Sequence, residues 1–271
     1  MTIGSDVLPS GRKGAALPGS PGAAELFAIA HYRGRVKQSA LAFPASVTPR
    51  RTSGYPCGMA FHFPKIYPIL DSSFIPANGR ADFLRHLGEG LTRAGVTLLE
   101  YRNKSGSNLQ LIDDAKVLRT ALPAGKVKLI LDDRVDLIEQ LGFDGVHVDS
   151  GDVSATEARR ILGSKRLIGT DGGSDSLLPG ILGEPADYFA VGPVFTTTTK
   201  QTDKRPIGPE GVRHLRREAG PDVVLTAAAG ITLANAQSVL DAGANTVAVA
   251  AAIFATSDPP AEFKRWLEAL L

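Results

Sequence analysis

Hydrophobic and polar positions along this chain change their rhythm near residue 65. Downstream, short runs rich in β-branched residues alternate with stretches whose apolar positions recur every three or four residues. Ile66-Tyr67-Pro68-Ile69-Leu70 precedes the helical spacing of Phe83, Leu84, Leu87 and Leu91, and Val96 to Tyr101 precedes a helix through Leu109, Leu111, Ile112 and Ala115. Val127 to Leu131 is followed by a helix around Leu137, Ile138 and Leu141, with Gly142 placed to end it. Val146-His147-Val148 leads to a helix starting near Ser154, where Glu157 three residues on offers a capping box. Leu167-Ile168-Gly169 opens a short Gly- and Ser-rich turn, and Tyr188 to Phe195 precedes a long polar loop and a helix at Gly211 to Ala219. Val223 to Ala229 then precedes Leu233 to Ala242, and Val247 to Ala252 precedes a last helix at Ala261 to Leu270.

The pattern predicts eight strand-plus-helix units in series. Its strand runs are continuously apolar rather than alternating, as strands buried on both faces of a helix-covered parallel sheet are. A doubly wound open sheet could also hold eight units, but no G-x-G-x-x-G follows the first strand. The expected fold is α/β, a (β/α)8 TIM barrel over residues 61–271 preceded by an extension, 1–60.

Residues 1–60 are rich in Gly, Pro, Ser and Ala and keep no sustained period, so this extension is expected to be disordered. Its acids are Asp6 and Glu25, against Arg12, Lys13, Arg33, Arg35, Lys37, Arg50 and Arg51. Two readings of such a leader stay open: an organelle transit peptide, or an upstream extension with Met59 as the working start. With 43% hydrophobic and 21% charged residues, the rest has the makings of a sizeable core. The formal net charge of +2 gives no argument for nucleic acid, and no apolar run approaches the roughly 20 residues of a membrane span. Cys57 is the single cysteine, which leaves no disulfide framework or cysteine metal site and fits a reducing compartment such as the cytoplasm. Phosphorylated small molecules are the expected partners; oligomeric state is not legible.

In such a barrel the loops after the strands form the active face. The runs end in Asp71, in Glu100-Tyr101-Arg102-Asn103-Lys104, in Asp132-Asp133-Arg134, in His147 with Asp149 and Asp152, in Thr170-Asp171, and in Thr196 to Lys200. The last two end without charge, in Gly230-Ile231-Thr232 and Ala250-Ala251-Ala252. Small residues there let backbone N–H groups approach an anion beside a helix N-terminus, although alanines also serve plain helix packing. Arg102 and Lys104, two apart on one expected strand, would point to the same face and invite an anion, or pair with Glu100. Asp133 and Asp152 could share a hard divalent cation. His147, inside an apolar run, reads as a hydrogen-bonded core histidine.

Several ordered stretches resemble thiamine phosphate synthase, in the superfamily shared with the thiazole tautomerase. Tyr101-Arg102-Asn103-Lys104 resembles the family's Q-x-R-x-K, Asp132-Asp133-Arg134 its N-D-R, and Asp144-Gly145-Val146-His147 with Asp152 its D-G-V-H-L-G-Q-x-D. Gly192-Pro193-Val194-Phe195 through Thr197-Thr198-Thr199-Lys200 resembles G-P-I-F-x-T-x-T-K, and Gly230-Ile231-Thr232 with Asn235 resembles G-G-I-T-x-x-N. The resemblance implies joining of hydroxymethylpyrimidine diphosphate to a thiazole phosphate, with Mg2+ and release of diphosphate. It further implies that Arg102, Lys104 and Lys200 neutralise the diphosphate, that Asp133 and Asp152 hold Mg2+, and that Thr197, Thr199, Gly230 and the amides around Ala250 and Ala251 grip the thiazole phosphate.

This chain departs from the pattern inside the expected site. Glu100 stands for the family's glutamine, Asp132 for its asparagine and Asp171 for a serine, while the G-G pair is Ala229-Gly230, Ala251 replaces a serine and Ser150 a glutamine. Each added carboxylate costs about 1 to 4 kcal/mol per close pair with a diphosphate charge. Alternatives are therefore a family member of altered specificity or a non-catalytic binder of a phosphorylated ligand. A tautomerase reading is weaker, since Gly172-Gly173 stands where its histidine is expected.

Overall fold

The computed structural model describes residues 61–104, 106–149, 151–197 and 203–271. The extension 1–60, with Cys57 and Met59, and the sites expected at Thr199 and Lys200 lie outside the described residues. Eight parallel strands close into a barrel in chain order: β1 Ile66–Asp71, β2 Leu98–Arg102, β3 Lys128–Asp132, β4 Gly145–Val148, β5 Leu167–Gly173, β6 Tyr188–Val191, β7 Leu225–Ala228 and β8 Thr246–Val249. Around them lie α1 Arg80–Ala94, α2 Asn108–Ala121, α3 Ile138–Leu141, α4 Ala155–Leu162, α5 Gly208–Ala219, α6 Leu233–Asp241, α7 Ala251–Phe254 and α8 Pro259–Leu270. No helix among the described residues is long and apolar enough to cross a membrane.

The regular alternation of strand and helix fails once. Between β5 and β6, whose connecting residues are all described, only a 3-10 turn at Ile181–Gly183 forms. Pro179, Gly180 and Pro185 break any helix there. β5 itself runs on past Asp171 to Gly173, and β2 stops at Arg102, so Lys104 sits in the following loop rather than on the strand. The helix cap at Ser154 forms, with its side chain accepting the Glu157 N–H at 3.1 Å.

Most apolar side chains pack between strands and helices, where Trp266, Leu84, Leu91 and Leu118 are fully buried. Gly88 and Gly90 cost α1 helix propensity but let it lie close to its neighbours, because a Cβ at either would sit 2.6 Å from Ala121 or Pro260. Inside the barrel the fill is different: Tyr67, Leu98, Ile130, Tyr188 and Ala248 form a small cluster backed by Phe61 and Phe63. The Tyr188 ring occupies space that exists only because residue 169 is glycine; a Cβ there would lie 1.9 Å from the ring.

The N-terminal ends of the strands are fastened by three arginine clamps of one design. Arg119 on α2 reaches Asp144 at 2.9 Å and the carbonyls of Leu122 and Val127, while Asp144 accepts the Leu129 N–H that starts β3. Arg159 on α4 repeats this with Asp187 at 2.8 Å and the Ile168 N–H, and Arg216 on α5 with Asn245 and the Leu225 N–H. Each clamp satisfies carbonyls that follow a helix end, so polar groups are paired at the face opposite the chemistry.

Candidate active site

Because side chains alternate along a strand, the residues facing the barrel axis are fixed by register. Asp132 pairs with His147, His147 with Gly169, and Asp171 with Ala190. Glu100, Arg102, Asp132, His147, Asp149, Asp171, Tyr188 and Thr197 accordingly line one space at the C-terminal rim, of about 230 Å³ and open to solvent. A second, of about 480 Å³, adjoins it beneath Asp71, Thr196, Gly230, Ile231 and Ala250 to Ala252. Arg102, Thr197 and Ala229 border both.

The rim cations meet acids. The Arg102 guanidinium donates to Asp71 and lies 3.6 Å from Asp132, and the Lys104 ammonium contacts Asp133 and stands 3.1 Å from Asp132. Burial pushes the Asp132 carboxyl up, with Lys104, His147 and Arg102 opposing the rise. Burial acts the same way on Asp71, but bonds from Ser73 and Arg102 outweigh it and hold its pKa below the usual value. Asp133 has a φ of 64°, a left-handed conformation uncommon outside glycine. Asp132, Asp133 and Asp149 each present an oxygen within 4.8 Å of the others; Asp133 Oδ1 is buried without a hydrogen bond, whereas Asp132 Oδ2 is ion-paired to Lys104 and Arg102. Asp152 is exposed and lies outside this trio; it accepts the Asp149 N–H at 3.1 Å and so braces the loop that carries Asp149.

Below the acids lies a chain of hydroxyls. Tyr67 donates to Glu100 Oε2 at 2.8 Å, so its oxygen accepts from Tyr188 at 2.8 Å, and Tyr188 in turn accepts from His147 Nδ1 at 3.2 Å. His147 is thus hydrogen-bonded and buried, and its Nε2 stands 3.6 Å from Asp149. Burial alone would push the imidazole down, yet Asp149 and Glu100 raise it above its ordinary value. Burial, joined by the charges of Asp132 and Asp149 and opposed by His147, pushes the Glu100 carboxyl from 4.5 to about 7.

A carboxyl whose native pKa exceeds its unfolded one binds a proton on folding, so its stabilising share is present below the unfolded value and lost as pH rises towards 7. Glu100→Gln keeps an acceptor for Tyr67 and removes the charge. Thermal melts should show equal midpoints for variant and wild type near pH 4, and a variant several degrees higher near pH 8. Equal midpoints near pH 8 would mean that no buried charge is carried at this position.

The second space is built from small residues and backbone. Ala229 and Gly230 have φ of 75° and 66°, and Gly230 lies so close to the preceding loop that a Cβ would stand 2.5 Å from the Thr196 carbonyl. Asn235 on α6 locks this turn, accepting the Thr232 N–H at 2.8 Å and donating to the Gly230 carbonyl at 3.2 Å. Ala250 caps α7 and Ala251 begins it.

Of the residues named from sequence, Glu100, Arg102, Asp132, Asp171, Thr197 and Ala229 line the first space, and Gly230, Ala250 and Ala251 the second. Sequence reasoning missed Lys204, whose ammonium stands 3.4 Å from Asp171, and the two tyrosines of the floor. The signal for the tyrosines was present: each sits at an inward register position of an apolar strand, with Gly169 opposite Tyr188.

Comparison with known proteins shows what the chain as a whole is similar to. The family pattern described as thiamine monophosphate synthase matches residues 66–253. The thiamine-phosphate synthase of Koribacter versatilis is 36% identical over 207 residues, covering 76% of this chain and 96% of that protein. The Agrobacterium fabrum thiamine-phosphate synthase is 41% identical over 163 residues, 59% of this chain and 74% of that one. Among solved structures, thiamine phosphate pyrophosphorylase from Pyrococcus furiosus superposes with a TM-score of 0.61 at 26% identity, covering 76% of this chain and 95% of that one.

Proposed function

This chain belongs to the thiamine monophosphate synthase family, and from that membership we propose that it is a transferase of thiamine biosynthesis joining hydroxymethylpyrimidine diphosphate to thiazole phosphate. One observation supports this reading most: a charged space and a small-residue cradle share the Arg102 wall, giving each substrate its own compartment and one common edge. In the reaction the C–O bond to the diphosphate breaks and takes its electron pair with the leaving group, and the thiazole nitrogen forms the new C–N bond. No protein nucleophile is needed; the catalytic demand is to stabilise charge on the departing oxygens.

In this reading Arg102 and Lys104, with Lys200 by family resemblance, face the diphosphate, and Glu100, Asp132 and Asp171 wall the pyrimidine. Thr197, Thr199, Ala229, Gly230, Ala250 and Ala251 hold the thiazole phosphate. The donor set fits a hard cation, since it consists of carboxylate oxygens, one of which, Asp133 Oδ1, is buried without a hydrogen bond. Asp133, Asp132 and Asp149, with Asp152 bracing the loop, would hold Mg2+, which would supply positive charge against the diphosphate.

Purified full-length protein should release diphosphate only when both substrates and Mg2+ are present, with thiamine phosphate as the co-product. Absence of product at high enzyme concentration would overturn the reading.

The acidity of the rim favours a second reading, altered specificity. Asp71, Glu100, Asp132, Asp133, Asp149 and Asp171 face Arg102, Lys104 and Lys204 among the described residues. If this excess has retuned the pocket, Glu100→Gln, Asp132→Asn and Asp171→Ser together should create or raise synthase activity. A triple variant no more active than its parent would exclude this alternative.

A further inference from the structure

β2 presents its inward residues, Glu100 and Arg102, to the site, and the residue between them points the other way. Tyr101 is fully buried, so its hydroxyl has to find polar partners within the protein. It donates to Asp114 Oδ2 at 2.5 Å and accepts from the Asn103 amide at 3.2 Å. Asp114 on α2 is 3% exposed, and Arg80 on α1 clasps both its oxygens at 2.7 to 2.9 Å. At the other end, Asn103 Oδ1 accepts the Gly106 N–H at 2.7 Å and the Ser72 hydroxyl at 3.2 Å. A continuous polar path therefore leads from the helix layer to Asn103, the residue between Arg102 and Lys104.

We propose that Tyr101, anchored by Asp114, is a positioning residue that sets the end of β2 at Arg102 and the loop carrying Lys104 from behind the barrel wall. A buried charge pair is a poor device for stability alone, because desolvating it offsets most of its attraction. It is an effective device for fixing direction, since a fully bonded network admits few alternative arrangements. Each partner here is used in that way: Arg80 orients the carboxylate, the carboxylate orients the Tyr101 hydroxyl, and the hydroxyl fixes which way the Asn103 amide turns. Asn103 then ties the loop on both sides, to Ser72 after β1 and to Gly106 before α2. Burial first, and then Asp114, raises the Tyr101 pKa well above its ordinary value, so the hydroxyl remains a donor across the working range. This role rests on reading Arg102 and Lys104 as the diphosphate cations.

Tyr101→Phe removes one oxygen and keeps the ring. In the full-length protein, hydrogen exchange of residues 102–108 should accelerate about tenfold, the loss of one net hydrogen bond, while β6 and β7 are unchanged. Calorimetric affinity for inorganic diphosphate with Mg2+ should fall about tenfold, and KM should rise for the pyrimidine diphosphate but not for thiazole phosphate. Unchanged exchange in 102–108, or equal acceleration throughout the barrel, would overturn the positioning role. If the wild type neither binds diphosphate nor turns over, the proposed reaction falls, and the exchange comparison still decides the wiring. Asn103→Ala, at the solvent end of the path, provides the same readouts should Tyr101→Phe fail to fold.

Discussion

Arg102→Met should lower kcat/KM by about 10²- to 10³-fold, the loss that follows removal of one preorganised donor to a developing anion. The guanidinium borders both substrate spaces and bridges Asp71 to Asp132, two carboxylates whose side chains are 11% and 3% exposed. Its removal does double damage: the leaving group loses a cation, and two mostly buried acids lose their shared partner. Stripping one member from a buried ion pair destabilises by about 3 kcal/mol, so denaturant unfolding should show a loss of that order. The loss should shrink on acidification, because Asp132 is already biased towards its protonated form and then needs no counter-charge. Steady-state kinetics with both substrates varied, beside urea unfolding at two pH values, checks both parts. A fall in kcat/KM below tenfold would remove Arg102 from the catalytic set.

Gly230→Ala should damage both stability and thiazole phosphate binding through a single added methyl group. Residue 230 has a φ of 66°, and the added Cβ would meet the Thr196 carbonyl at 2.5 Å and Phe195 Cβ at 2.7 Å, backbone and near-backbone atoms that cannot simply rotate away. Left-handed strain and the clash together cost about 2 to 4 kcal/mol. Relief requires the turn to move away from the loop of Thr196 and Thr197, which opens the cradle. KM for thiazole phosphate should therefore rise by more than about tenfold while KM for the pyrimidine diphosphate changes little. A stable variant with wild-type KM for both substrates would show that the turn is no part of a phosphate site.

The barrel was legible because its strands are unbroken apolar runs and its helices keep a 3.6-residue period; both signals are local. What escaped was decided by breakers and by register. After β5 the sequence already read as a Gly- and Ser-rich turn, and Pro179, Gly180 and Pro185 leave that crossover without a helix; the count of eight strand-plus-helix units passed over this. Lys104 was assigned to a strand because two-residue spacing puts Arg102 and Lys104 on one face; the strand ends at Arg102, and the loop after it brings Lys104 to Asp132 beside Arg102. Motif matching named the chemistry at Arg102, Asp132 and Gly230. It had no access to Tyr67, Tyr188 or Lys204, whose roles come from which strand or loop they face across the barrel mouth.

The arginine clamps of Arg119, Arg159 and Arg216 bear on how this molecule can change over evolutionary time. Each uses only atoms from the underside, so the frame is secured without help from any residue of the rim. Substitutions at the rim leave these three clamps in place. A lineage can exchange neutral side chains for Glu100, Asp132 and Asp171, trying out new selectivity, while the scaffold beneath is inherited intact.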